Sequence, residues 1–119
     1  DNKMHYLHQE GRTVFKYAVS SMSDVSAAIA EKNGLTKDSI NWIVPHQANQ
    51  RIIDFASTKL KVPKEKFYLN IHKYGNTSSA SIPIALDELN RAGKLHRGDL
   101  LLLPAFGGGL ASACCLVRW

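Results

Sequence analysis

Cysteine is scarce in this chain of 119 residues: Cys114 and Cys115 are the only two, and they are neighbours in an apolar C-terminal run. Vicinal cysteines pair only with strain, so no disulfide framework is expected, and both read as strand residues packed against the core rather than redox or nucleophilic groups. No apolar run approaches the roughly 18 residues that a membrane-crossing helix needs, and the N-terminus has no basic-then-apolar signal pattern, so a cytoplasmic protein with no membrane partner is expected. Metal-ligand spacing is missing as well. His5, Tyr6 and His8 fall in a polar stretch, residues 1–11, that reads as a loop or short edge strand, and no metal or cofactor is expected. The chain begins Asp-Asn-Lys-Met-His without an initiator methionine, which points to a processed product or an excised piece.

Acidic charge is in short supply too, with 10 Asp and Glu against 15 Lys and Arg for a net charge of +5. The basic residues are dispersed except for Lys59, Lys61, Lys64 and Lys66, and few aromatics interleave with them. That pattern leaves a modest basic face, which suits an acidic protein partner or a phosphate-bearing ligand as well as it suits RNA; no nucleic-acid partner is expected once the resemblance described below is taken with it. With no repeat, linker or low-complexity segment, residues 1–119 read as one domain.

Hydrophobic spacing supplies the elements. Phe15, Ala18, Met22, Val25 and Ile29 recur every three or four residues, one stripe of a long amphipathic helix from Arg12 to a stop at Asn33-Gly34. Trp42, Ile43 and Val44 make a short buried strand that Pro45 should end, leaving His46 just past its carboxyl end. A second helix follows over Asn49 to Leu60. Phe67 to Leu69 reads as a strand, and Asn70 to Asn76 as a loop. A third helix runs over residues 77–93, with Pro83 kinking it or lying in an irregular first turn. Four consecutive leucines, Leu100 to Leu103, then mark a central strand apolar on both faces, and the Gly107-Gly108-Gly109 turn returns the chain into a last strand, Leu110 to Trp119. Helices alternating with strands predict a three-layer α/β arrangement with a mixed, largely parallel sheet whose last strand is antiparallel.

In such a sheet His46, the Gly75-Asn76 turn and the Gly107–Gly109 turn fall at one edge, beyond the strand ends where open α/β sheets keep their sites. An imidazole N–H and a carboxamide N–H aimed at one carbonyl oxygen stabilise charge as it develops there, and a glycine turn offers a bare backbone N–H to a second oxygen. Taken singly, a histidine here is more often a core or loop residue, and a triple glycine just a turn. Their joint occurrence is far more specific.

In order and with the family's spacing, V-F-K-Y-A-V, V-P-H-Q-A-N-Q-R, Y-G-N-T-S-S-A-S-I-P, A-L-D-E and A-F-G-G-G resemble the C-terminal half of the beta-ketoacyl-acyl-carrier-protein synthase III family, condensing enzymes of the thiolase superfamily. The resemblance implies a thiolase-like half truncated at its N-terminus, and decarboxylative Claisen condensation of an acyl-CoA primer with malonyl-acyl carrier protein at the start of type II fatty acid synthesis. It places His46 and Asn76 at the positions that bind the malonyl thioester oxygen and Gly108 at the oxyanion hole. Gln47, Ala48, Asn49, Gln50 and Arg51 match the carrier-protein-binding segment, with Lys16 and Lys59 at further basic docking positions; Phe15, Ala48 and Asn49 match walls of the pantetheine tunnel. Acyl-CoA enters as substrate, and the intact enzyme is implied to be a homodimer. The family's nucleophile is a cysteine at the start of a buried helix in the N-terminal half, which nothing here matches, so this chain alone is expected to be inactive. Plant-type polyketide synthases share Y-G-N-x-S-S-A but differ around the histidine and at the glycine turn. A secondary-metabolite acyltransferase or ketosynthase of the same fold, or a non-catalytic module binding carrier protein or nucleic acid, are the alternatives.

Overall fold

A computed structural model describes residues 6–119, so the expected loop or edge strand over 1–11 lies partly outside the described residues, His5 included. Residues 6–10 form no strand, and the long helix α1 begins at once, Gly11–Lys32. Its stop follows from Gly34 at φ 65°: the Gly34 N–H donates to the Glu31 carbonyl and the Leu35 N–H to that of Ala30, both at 2.9 Å. This is the glycine-dependent end in which the residue after the glycine folds back onto the helix, here with Leu35 and Ile29 packed in one cluster. Ala18 and Met22 of the apolar stripe are buried, and so are Ser23 and Ser26, whose hydroxyls donate to the Val19 and Met22 carbonyls at 2.9 and 2.6 Å.

Strand β1, Trp42–Ile43, pairs in parallel with β2, Leu100–Gly107, and β2 pairs antiparallel with β3, Ala111–Arg118, in the order β1-β2-β3. The regular strand ends before Pro45 as expected, but hydrogen bonds to β2 continue past it. The Val44 and His46 N–H groups donate to the Leu102 and Pro104 carbonyls at 2.8 and 2.9 Å. Because these two alternate residues face β2, the missing N–H of Pro45 falls on the far side of the strand, where its loss breaks no bond to β2.

Alternation along β2 divides the core in two. Leu102 packs with Ile43 and Ile53 on the face covered by α1 and α2, Gln50–Leu60, whereas Leu101 packs with Val44, Ala85 and Leu89 on the face covered by α4, Ser81–Arg91. The molecule is the expected helix–sheet–helix sandwich, with β2 central and apolar on both sides. Pro83 sits in the first turn of α4, where its nitrogen owes no intrahelical bond, and Gly93 at φ 67° ends that helix as Gly34 ends α1.

Two expectations are corrected. Phe67 to Leu69 forms no regular strand but a single parallel bridge between Phe67 and Ile43, because the Tyr68 carbonyl and the Asn70 N–H are taken by the Gln47 side chain instead of a ladder. Within the expected loop Asn70 to Asn76 there is a one-turn helix, α3, Ile71–Tyr74. The reading of the cysteines holds for one of them: Cys114 packs against the α1 face, but Cys115 points to the opposite face of the outer strand and is exposed.

Candidate active site

His46 is half-buried where the paired segment ends, its backbone anchored to β2. The ring is held on two sides. Its Nδ1 lies 2.7 Å from the Ser81 hydroxyl at the start of α4, and the Phe106 ring meets it edge-on with centroids 5.4 Å apart. The buried Ser81 oxygen also accepts the Gln47 N–H at 3.2 Å, and its O–H is in place to donate to Nδ1 of a ring protonated on Nε2. With Nδ1 as acceptor, the ring proton sits on Nε2, the nitrogen left for the cavity. Burial lowers the imidazole pKa from its ordinary 6.5, favouring the neutral ring.

Asn76 arrives from the turn after α3. Gly75 takes φ 68° and ψ −156°, a conformation essentially confined to glycine, and the Asn76 Oδ1 accepts the Ser78 N–H at 2.9 Å. With its oxygen committed, the part of the carboxamide available to the cavity is the NH₂ group. Ser78 itself has φ 54°, so the turn carrying Asn76 holds a non-glycine residue in the left-handed region just beyond it.

His46, Asn76 and Gly108 line one cavity of about 440 Å³, bounded also by Phe106 and Ser81. A second, of about 820 Å³, shares His46, Asn76 and Gly108 and extends past Phe15, Ala48 and Asn49 to the start of α1. Residues from three separate segments therefore meet at one opening, and the residues matched to a tunnel wall line the adjoining space.

The docking assignments fare unevenly. Gln50 and Arg51 are exposed at the start of α2, with the Arg51 guanidinium 5.5 Å from the Phe15 ring centre, and Lys16 is exposed on α1. Lys59 is exposed but pairs with Asp24 at 2.9 Å. Asn49 caps α2 by accepting the Arg51 N–H at 2.9 Å, and Ala48 is partly buried beside α1. Gln47 is corrected: it is 1% exposed, its Nε2 donates to the Pro45 and Tyr68 carbonyls, and its Oε1 accepts the Asn70 N–H, so nothing of it is presented to a partner. Sequence reading missed this brace, and it missed Ser81, whose hydroxyl stands among the similar small residues Ser78, Ser79 and Ala80.

Cys114 and Cys115 lie on β3, and burial pushes the Cys114 thiol up to about 11, the opposite of an activated nucleophile. Among the described residues no group of His, Cys, Asp or Glu is arranged to hold a metal ion, and no helix is long and apolar enough to cross a membrane.

Residues 30–119 match the family model described as 3-oxoacyl-[acyl-carrier-protein (ACP)] synthase III C terminal. Over its full length the chain is 60% identical to beta-ketoacyl-[acyl-carrier-protein] synthase III 2 of Bacteroides thetaiotaomicron, and over 95% of its length 53% identical to the synthase III of Clostridium novyi. It spans about 35% of each of these relatives. The crystal structure of 3-oxoacyl-[acyl-carrier-protein] synthase III from Aquifex aeolicus superposes on 99% of the chain with a TM-score of 0.94 at 48% identity, matching 38% of that protein. OleA of Xanthomonas campestris, at 23% identity and a TM-score of 0.83, shares the fold.

Proposed function

This chain belongs to the 3-oxoacyl-[acyl-carrier-protein] synthase III C-terminal family, and from that premise we propose that it is the malonyl-decarboxylating part of a condensing enzyme that starts type II fatty acid synthesis. The observation carrying this reading is the convergence of His46, Asn76 and Gly108 on one cavity. A malonyl thioester seated there presents its carbonyl oxygen to the His46 Nε2–H and the Asn76 NH₂. As the bond to the carboxylate breaks and carbon dioxide leaves, the electron pair passes into the thioester and negative charge grows on that oxygen. The two fixed donors stabilise the resulting enolate without reorganising.

The enolate carbon then attacks the acyl group on a cysteine supplied from outside these residues. The Gly108 N–H is the donor for the tetrahedral oxyanion that forms, which collapses to the 3-oxoacyl thioester as the cysteine sulfur leaves. A neutral His46 with its proton on Nε2 suffices as this donor, and burial favours the neutral ring. Acyl-CoA as primer donor, acyl carrier protein as the malonyl bearer, docking through Gln50, Arg51, Lys16 and Lys59, and a homodimeric whole enzyme complete the proposal.

The test separates the half-reactions in the intact enzyme. His46→Ala or Asn76→Ala should slow malonyl decarboxylation by about 10²–10³, the usual effect of losing one such donor, while leaving acyl transfer to the cysteine near the parent rate. Equal loss in both half-reactions contradicts the assignment.

A further inference from the structure

Glu88, on the middle of α4, accepts from four side chains of the segment that leads to Asn76. Its Oε2 takes the Tyr68 hydroxyl at 2.9 Å and the Asn70 Nδ2 at 3.0 Å; its Oε1 takes the Lys73 Nζ at 2.9 Å and the Tyr74 hydroxyl at 3.0 Å. One surface ion pair contributes little, but a carboxylate with four donors and a side chain only 19% exposed is a built junction. Its carboxyl is held down to about 2 by the Lys73 ammonium first and then by the neutral donors, so the acceptor charge persists at all working pH values.

The junction is continuous with the other half of the site. Asn70, which gives its side chain to Glu88, gives its backbone N–H to Gln47, the residue next to His46. Tyr74, the last donor, immediately precedes Gly75, whose positive φ turns Asn76 into the cavity. Without these bonds the segment has little of its own to hold it: α3 is a single turn, and the ladder expected at Phe67 to Leu69 is reduced to one bridge.

We propose that Glu88 is a positioning residue that sets the location of Asn76 relative to His46, by clamping residues 68–74 onto α4 while Gln47 ties the same segment to the His46 turn. This rests on the proposed role of Asn76 and adds to it a residue that never touches the substrate. Displacement of a donor by about an ångström is enough to cost up to ~10²-fold in rate.

Three variants of the intact enzyme test it: Glu88→Ala, Glu88→Gln, and the exposed-donor pair K73M/Y74F, which removes half the clamp from the surface and leaves folding intact if Glu88→Ala does not. Glu88→Ala should slow malonyl decarboxylation about tenfold or more with acyl transfer within about twofold of the parent, and K73M/Y74F should do the same to a smaller degree. Glu88→Gln keeps an oxygen for Tyr68 and Asn70 and should stay within about threefold. Hydrogen exchange at the Gly75 and Ser78 amides, which bond to the Ile71 carbonyl and the Asn76 side chain, should accelerate in Glu88→Ala while α1 stays protected. Unchanged exchange at those amides, an equal fall in both half-reactions, or Glu88→Gln as damaged as Glu88→Ala overturns the positioning role. Faster exchange with undiminished decarboxylation instead overturns the role given to Asn76.

Discussion

At the scale of single residues, chemistry here is decided by what holds each side chain rather than by its identity. His46 was legible because an apolar strand ran into Pro-His, but the partner that holds its ring was not, since the Ser81 hydroxyl is 35 positions away in sequence. Ser81→Ala leaves the buried Gln47 N–H without its acceptor and frees the ring, and should cost about 1–3 kcal/mol in unfolding measurements as well as slowing decarboxylation. The lowered His46 pKa has a definite sign. The folded ring resists protonation, so its share of stability is complete above 6.5 and is lost as pH falls from there through the folded value. An NMR titration should find the His46 ring still neutral below 6.5, and a midpoint at or above that value would contradict the burial argument. The cysteines offer a contrast that spacing alone could not supply, because alternation says they face apart but not which face is covered. A maleimide should label exposed Cys115 and spare Cys114, whose thiol burial pushes to about 11.

At the scale of elements, periodicity identified those that bury a stripe. The helices α1, α2 and α4 and the leucine strand were readable because their partners are the core itself. The segment from Phe67 to Asn76 was not, because its geometry is dictated by two side chains from elsewhere, Gln47 and Glu88, that no local pattern announces. Gln47 was misread for a related reason: sitting in a motif beside exposed Arg51, it was assigned to a surface from which it is buried. Gly75 is the hinge of this element. An added Cβ meets nothing within 4 Å, so the penalty of Gly75→Ala is conformational alone. It should amount to about 1–3 kcal/mol and appear as a decarboxylation defect exceeding any defect in acyl transfer. The Glu88 clamp carries its own pH signature. Its folded pKa of about 2 lies below the ordinary 4.5, so its contribution is present above 4.5 and lost as pH falls toward 2, with Lys73, Tyr68 and Tyr74 facing the carboxylate and Asp87 adjoining Tyr74.

For the whole molecule, the sheet edge is the organising fact: parallel β1 and β2 deliver His46 and the glycine turn to one end, and α3 delivers Asn76 to the same opening. The basic excess has a place as well, since α1 and α2 lie side by side and the Arg51 guanidinium lies over the Phe15 ring, which lines the larger cavity with Asn49. Lys59 sits roughly 12 Å along α2 from Arg51, at about 1.5 Å per residue, and already has Asp24 as a partner. Arg51→Glu should therefore weaken carrier-protein binding by about tenfold or more in calorimetry at low salt, more than Lys59→Gln does. RNA affinity with a steep salt dependence, and none for carrier protein, would favour the binding-module alternative. Because the chain spans about a third of its relatives, incubation of these 119 residues with acyl-CoA should give no acyl-enzyme by mass spectrometry.

The most direct measurement is a crystal structure of the intact enzyme with a non-decarboxylating malonyl-thioester analogue. The account predicts the thioester oxygen within about 3 Å of both the His46 Nε2 and the Asn76 Nδ2. An analogue whose thioester oxygen touches neither, or that leaves the two side chains bound to different atoms, would contradict it.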